Sequence, residues 1–383
     1  MIWSHDLRGH HQALARAGSR PSPLVTGAPR GYTFAGMRLG YSLGSMGGIG
    51  TEPAVYAELA LAAERLGYES VWSAEAFGTD PLGLLGWIAA QTADIRLGAG
   101  VLQISARSAV TAAMSAATLA QISGGRFKLG LGTSGPKVAE GWHGQSYGRP
   151  LARMRDYVAV LRMALAGQPV SYRGDTVTLP IAGSDAEPMP LLVPARLPRV
   201  PVYLAGLGPK AIALAGELAD GWLAVHHPPE SVAASRAWLA AGAERAGRSL
   251  DGFDVAAMVL VVVEPDLELA HDMMRPSLAL HLGGMGTRTV NFYNALAGRL
   301  GFGEAAAAVQ DAYLAGRHDD AVAAVTDELV DGMTIAGGPD HVRERLAAYQ
   351  DAGTSTLIVT LVSPTPGLRR EQLEWITELA PDP

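Results

Sequence analysis

Three stretches of the chain set polar side chains among glycines in the way a ligand site requires. The first is Ala205-Gly206-Leu207-Gly208-Pro209-Lys210, which ends one apolar run and opens another. Amides at a helix start have no intrahelical partner and the helix dipole adds positive potential there, so this run offers an anion site to which Lys210 adds a charge. The structural alternative is a tight turn at Gly206 and Gly208, with Pro209 starting the helix. The second stretch is GGRFKLGLGTSGPKVAEGWHG, residues 124–144, in which a strand-like segment ends on Thr133, Ser134 and Gly135. Small hydroxyls at the carboxyl end of a parallel strand are placed either for ligand contact or to cap the loop. In the same loop an indole and an imidazole, Trp142 and His143, suit a lid. The third stretch is Trp72-Ser73-Ala74-Glu75-Ala76-Phe77-Gly78, where Glu75 can serve as acid, base or hydrogen-bond acceptor, or pair with a loop arginine.

Two further signals carry less. Gly132-Thr133-Ser134-Gly135 lacks the G-x-S-x-G spacing of a hydrolase nucleophile. His226 and His227 are adjacent, so on a strand they face opposite ways and cannot chelate one ion; no metal site is expected.

Alternating strands and helices must position these residues. Apolar runs at 38–43, 70–73, 95–102, 126–132, 202–205, 221–225, 255–263 and 356–361 read as strands. Helical patterns fall between them; the first is opened by Thr51 and Pro53, with Val55, Leu59, Ala62 and Leu66 at helical spacing. Strand-helix alternation predicts parallel strands with crossover helices, and eight such strands close a (β/α)8 TIM barrel. A β-hairpin inserted around Arg173-Gly174-Asp175 and a helical insertion over 267–329 before the last strand decorate it. The competing architecture is an open doubly wound sheet, but Gly206-Leu207-Gly208 lacks the third glycine of a dinucleotide fingerprint.

Composition sets the outer limits. The 383 residues are 48% hydrophobic, enough for a large core, and contain no cysteine, which removes disulfides, thiol nucleophiles and thiolate metal sites. A formal charge of -7 argues against a nucleic-acid partner. No apolar run approaches the ~18 residues of a membrane span. These features fit a cytoplasmic protein acting on a small molecule, with a homodimer left open. Residues 1–36 lack the apolar core of a signal peptide and are expected to be a disordered leader or an over-long start, leaving 37–383 as one domain.

The segments SVWSAEAFGTD, IRLGAGVLQISARS, GGRFKLGLGTSGPKVAEGWHG, VPVYLAGLGPKAIALAGELADGWL and LALHLGGMGTR together resemble the luciferase-like (β/α)8 flavin and deazaflavin oxidoreductases. Within them the likeness is to the actinobacterial branch that uses coenzyme F420. The resemblance implies a deazaflavin across the barrel mouth, backed by a bulge at Gly100-Val101 that carries a non-proline cis peptide in many members, with its phosphate at Ala205 to Lys210. It implies a cofactor wall of Gly44, Ser45, Glu75, Gly100, Val101, Gln103, Thr133, Ser134, Gly135, Ala205, Gly206, Leu207, Gly208, Pro209 and Lys210. Glu75 and His143 then become catalytic candidates, and Trp142, His226 and Arg275 shape the substrate pocket. Two positions depart from well-studied relatives: Ala76 follows Glu75 where they carry histidine, and Ser134 and Gly135 stand where they carry glutamate. Sugar-phosphate dehydrogenase chemistry is therefore not implied. The expected activity is hydride transfer between deazaflavin C5 and a small hydrophobic substrate; the alternatives are an FMN-dependent monooxygenase and a non-catalytic cofactor carrier.

Overall fold

Strands whose two faces are both apolar must be covered on both sides, and a closed parallel barrel inside a ring of helices does this. The computed structural model describes residues 36–44, 52–76, 78–192, 197–363 and 365–379. Its strands are β1 (Arg38–Ser42), β2 (Ser70–Ser73), β3 (Arg96–Gln103), β4 (Phe127–Gly132), β5 (Tyr172–Arg173), β6 (Thr178–Leu179), β7 (Val202–Ala205), β8 (Gly221–Val225), β9 (Asp254–Val263), β10 (Ile335–Gly337) and β11 (Thr356–Leu361). The order β1-β2-β3-β4-β7-β8-β9-β11 returns to β1 through parallel pairings throughout. The β8–β9 and β11–β1 pairings close the sheet and exclude the open alternative.

Three features refine the expectation. β5 and β6 form the inserted hairpin as an antiparallel pair. β10, absent from the sequence reading, adds three residues to β9 outside the ring. The insertion is helical, running through Leu267–Ala279, a π-turn at Leu280–Gly284, Phe292–Arg299, Gly303–Leu314, His318–Ala323 and Asp327–Met333. It packs around Met274, Leu278, Leu329 and Met333 as a core separate from the main one. Thr51 and the leader up to residue 35 lie outside the described residues, and Glu52 occupies the N-cap of the first helix without a side-chain bond. No helix among the described residues is long and apolar enough to cross a membrane.

The amino-terminal end of the barrel is plugged by rings and buried charge. Trp72 and Tyr203 meet edge to face at 5.5 Å, and a Cβ at Gly98 would collide with the Trp72 ring. Lys128, 3% exposed, places Nζ 2.7 and 3.0 Å from the two Glu69 oxygens and 3.7 Å from Asp254, and within 6 Å of both rings. Asp254 also accepts hydrogen bonds from Tyr203 and Thr356 and pairs with Arg38. Burial alone would raise the Glu69 carboxyl; the Lys128 charge and hydrogen bonds outweigh it and hold the group below its ordinary value.

Lys128→Met should therefore lower the unfolding free energy by about 3 kcal/mol or more, because it leaves buried carboxylates without their cation. Urea denaturation checks this; a loss under about 1 kcal/mol would show that Arg38 and Arg96 suffice. Since the folded Glu69 pKa lies below its unfolded value of ~4.3, its contribution is complete above that pH and is lost as pH falls through the folded value. Wild-type stability should thus fall more steeply on acidification than that of the variant.

Candidate active site

At the opposite end, the carboxyl ends of β3, β4, β7 and β8 enclose a cavity of about 620 Å³. Its wall takes Val101 from β3, residues 132–135 after β4, residues 205–210 after β7 and Val225 from β8. Tyr147, Leu151 and Met154 close one side, and Met285, Val290, Phe292, Tyr293 and Arg299 of the insertion cover the other. The structure thus brings Val101, Thr133, Ser134, Gly135, Ala205, Gly206, Leu207, Gly208, Pro209 and Lys210 to one surface, as their sequence positions suggested.

The turn after β7 is built to leave amides free. Trp222 Nε1 donates to the Gly206 carbonyl at 2.9 Å, and a Cβ on Gly206 would stand 2.9 Å from Ala211 Cβ, so a side chain there would press on the helix it precedes. Gly208 is the N-cap of helix Pro209–Leu218 and supplies no side-chain cap; a Cβ on it would meet no atom of the protein within 4 Å and would extend into the open space of the turn. Lys128 is buried among carboxylates and Lys137 donates to the Gly284 carbonyl at 2.6 Å, whereas Lys210 is exposed and makes no hydrogen bond or ion pair among the described residues. An uncapped helix start with an unpartnered ammonium beside it suits an anionic group.

Beside this turn, Ser134 takes a left-handed φ of 55°, which places its carbonyl to accept from Tyr147 Oη at 3.3 Å. Burial raises the Tyr147 phenol, which stays a protonated donor. On β3 the pairing with β4 slips between Ala99 and Leu102, and the Gly100-Val101 peptide is cis. A Cβ on Gly130 would collide with the Ala99 carbonyl, so β4 needs glycine where the bulge leans on it.

Glu75 stands behind that bulge, not on the cavity wall. Its amide donates to Val101 O at 3.0 Å, its Oε2 accepts from the Gln103 amide at 2.7 Å and its Oε1 pairs with Arg107. Gln103 Nε2 returns a bond to the Glu75 carbonyl at 2.8 Å. Of the roles open to Glu75 in the sequence, the structure displays the hydrogen-bond acceptor and the arginine pair.

The remaining candidates divide. Gly44 ends β1 at a φ of 122°, away from the cavity, and Ser45 lies outside the described residues. Trp142 is 65% exposed and off the wall, and His143 sits beside it with a buried Nε2 that has no partner. The cover over the cavity comes instead from Tyr147 and Phe292, whose rings lie 6.3 Å apart. Arg275 is not brought to the pocket: its guanidinium pairs with Asp272 and Asp327 and donates to Val325 O, all within the helical insertion. His226 is buried next to the wall, with its ring against His281 and Tyr293. Among the described residues no group of three acidic or histidine side chains could hold a metal. Sequence reasoning missed Arg107, Tyr147, Phe292, Tyr293 and Arg299, which reach the site from loops and the insertion, where no periodicity marks a wall.

Comparison with known proteins matches this geometry. The luciferase-like monooxygenase model covers residues 34–356. A Mycobacterium tuberculosis protein named as a coenzyme F420-dependent oxidoreductase is 40% identical over 85% of this chain and 95% of its own length. The 5,10-methylenetetrahydromethanopterin reductase of Archaeoglobus fulgidus is 30% identical over 77% of this chain and 86% of its own. The solved F420-dependent tetrahydromethanopterin reductase of Methanopyrus kandleri superposes with a TM-score of 0.75 at 25% identity, covering 90% of this chain and 98% of that one. With a family match over most of its length and the same barrel, this chain belongs to the luciferase-like monooxygenase family.

Proposed function

We propose that the protein is an oxidoreductase that uses coenzyme F420 and transfers a hydride between the deazaflavin C5 and a small hydrophobic organic substrate. The observation that carries this is the cavity itself, apolar along most of its wall and ending at a helix start with an unpartnered lysine. The residues present fit the cofactor, because an open Gly208, an uncapped helix and a free Lys210 make an anion cradle at one end of an apolar slot. The F420-dependent relatives support the cofactor assignment.

When bound, the deazaflavin supplies the two-electron chemistry, and the chain supplies position and environment. Residues 205–210 would hold the anionic side chain of the cofactor. Val101, held forward by the Glu75–Arg107 pair and the Gln103 amide, would support its ring, with Thr133 and Ser134 available to its polar groups. Tyr147 and Phe292 keep water out. Since both Glu75 oxygens are engaged, Glu75 acts here as a positioning residue. His143 stands off the cavity wall, and its unpartnered Nε2 keeps it a candidate for the substrate proton.

Fluorescence titration with F420 and, separately, with FMN tests the assignment, and F420 should bind in preference. FMN binding accompanied by oxygen consumption would give the monooxygenase instead, and F420 binding without turnover across a substrate screen would give a carrier. Lys210→Ala should raise the F420 dissociation constant about 10- to 100-fold, the worth of one charge-assisted hydrogen bond, while leaving stability unchanged. An unchanged constant would place the anion on backbone amides alone. Glu75→Gln should lower stability by about 1–3 kcal/mol by weakening the bond to Arg107. Full stability with a ~100-fold or greater loss in hydride-transfer rate would return Glu75 to acid-base duty.

A further inference from the structure

His226, expected from the resemblance to shape the substrate pocket, belongs to a polar cluster beside the cavity whose other members, His281 and Tyr293, have been given no role. His226 follows Val225 at the end of β8, is 3% exposed and takes a left-handed φ of 55° with its amide tied to Met258 O at 2.9 Å. Its Nδ1 is buried without a hydrogen-bond partner. Non-glycine residues in this conformation collect at ligand sites, where the surroundings hold them. The His226 ring stands edge to face with His281 at 4.6 Å and with Tyr293 at 5.6 Å, and His281 meets Tyr293 at 5.1 Å. Tyr293, half-buried, lines the cavity, and its phenol makes no hydrogen bond among the described residues, which leaves the hydroxyl available to a ligand.

We propose that Tyr293, with His226 and His281 behind it, is a substrate subsite that recognises an uncharged oxygen, a carbonyl or a hydroxyl. This rests on the oxidoreductase reading above and names the substrate class it leaves open. His281 Nδ1 lies 2.7 Å from the Ser277 carbonyl, which can only accept, so Nδ1 carries the proton and Nε2 is left as an acceptor in the neutral ring. Burial lowers both imidazoles, His226 well below the ordinary range, and pushes the Tyr293 phenol up to about 12. The cluster thus presents a hydroxyl donor and imidazole acceptors with no net charge. A carboxylate finds no counter-charge among these three side chains, whereas the Tyr293 hydroxyl on the cavity wall can donate to a ketone oxygen and both donate to and accept from an alcohol. The charged side chains of the wall, Lys210 and Arg299, stand at the turn after β7, where Arg299 donates to the Leu207 carbonyl. The cluster is held firmly: Asn291 Nδ2 donates to the His281 and Leu282 carbonyls, and a Cβ on Gly283 would collide with Tyr313.

The test uses protein labelled with ¹⁵N-histidine, titrated with and without F420. The probes are cyclohexanone, cyclohexanol and acetophenone, with cyclohexanecarboxylate and benzoate as charged counterparts. The uncharged probes should shift the His226 resonances, assigned by their loss in His226→Gln, and the carboxylates should bind about tenfold more weakly or not at all. Tyr293→Phe keeps the ring packing and removes only the hydroxyl, and it should weaken cyclohexanone about 3- to 10-fold whether or not F420 is present. The subsite is overturned if no uncharged probe shifts His226, if the carboxylates bind equally well, or if Tyr293→Phe leaves cyclohexanone binding unaltered. A protein that binds the probes but not F420 would instead overturn the cofactor assignment and keep the subsite.

Discussion

The buried ammonium of Lys128 is the constraint around which the barrel is arranged. A charge this deep is tolerated only when it is paired and its remaining protons are satisfied, and the partners come from different strands: Glu69 just before β2 and Asp254 at the start of β9. Asp254 is in turn bound by Tyr203 of β7, Thr356 of β11 and Arg38 of β1. Six barrel strands thus share one polar network at their amino ends. Breaking the register of any one of them by a residue would strand a buried charge, so the network specifies closure more sharply than the surrounding apolar packing can.

With charge and indole filling the amino end, the space for chemistry is left at the carboxyl end. The strand ends there are not regular: β3 bulges, and Ser134 and His226 both adopt left-handed conformations. The Glu75–Arg107 pair belongs to this irregular layer and does there what Lys128 does below, tying a loop arginine and the Gln103 amide of β3 to one carboxylate, while Gln103 Nε2 bonds the Glu75 carbonyl. A carboxylate so engaged accepts hydrogen bonds and has little capacity left for proton transfer. The two ends therefore use charge in the same way, and the chemistry falls to neutral groups.

The barrel was legible in the sequence because apolar strands and helical periods repeat with glycine and proline at their joints, and the turn and helix start at 205–210 because they sit on such a joint. β10 was not, since three residues flanked by helices carry too short a period to read. Glu75 was placed at the right strand end, but its role depends on Arg107, which is 32 residues away, and nothing local signals that pairing. Arg275 was expected at the pocket because it lies in the insertion, yet the acidic residues Asp272 and Asp327 on the same insertion claim it. Tyr147 and Tyr293 were missed for the opposite reason: the folded lid and insertion carry them onto a wall that the strand pattern does not reach.

That last difference bears on how the fold accommodates different substrates. The insertion builds its core on Met274, Leu278, Leu329 and Met333 and seats it against Leu260 and Val262 of β9. Beyond that apolar seat it meets the barrel through Lys137 to the Gly284 carbonyl, Arg299 to the Leu207 carbonyl, and the His226 ring against His281 and Tyr293. The first two contacts pin the insertion to the loops after β4 and β7, which line the cofactor end, and they use backbone carbonyls that any sequence supplies. The third is made of side chains alone and faces the cavity. Changes to the insertion that keep the two carbonyl contacts can therefore alter the polar cluster while leaving the turn at 205–210 intact, which, on the proposed function, separates the part of the site that would hold a cofactor from the part that would select what it reacts with.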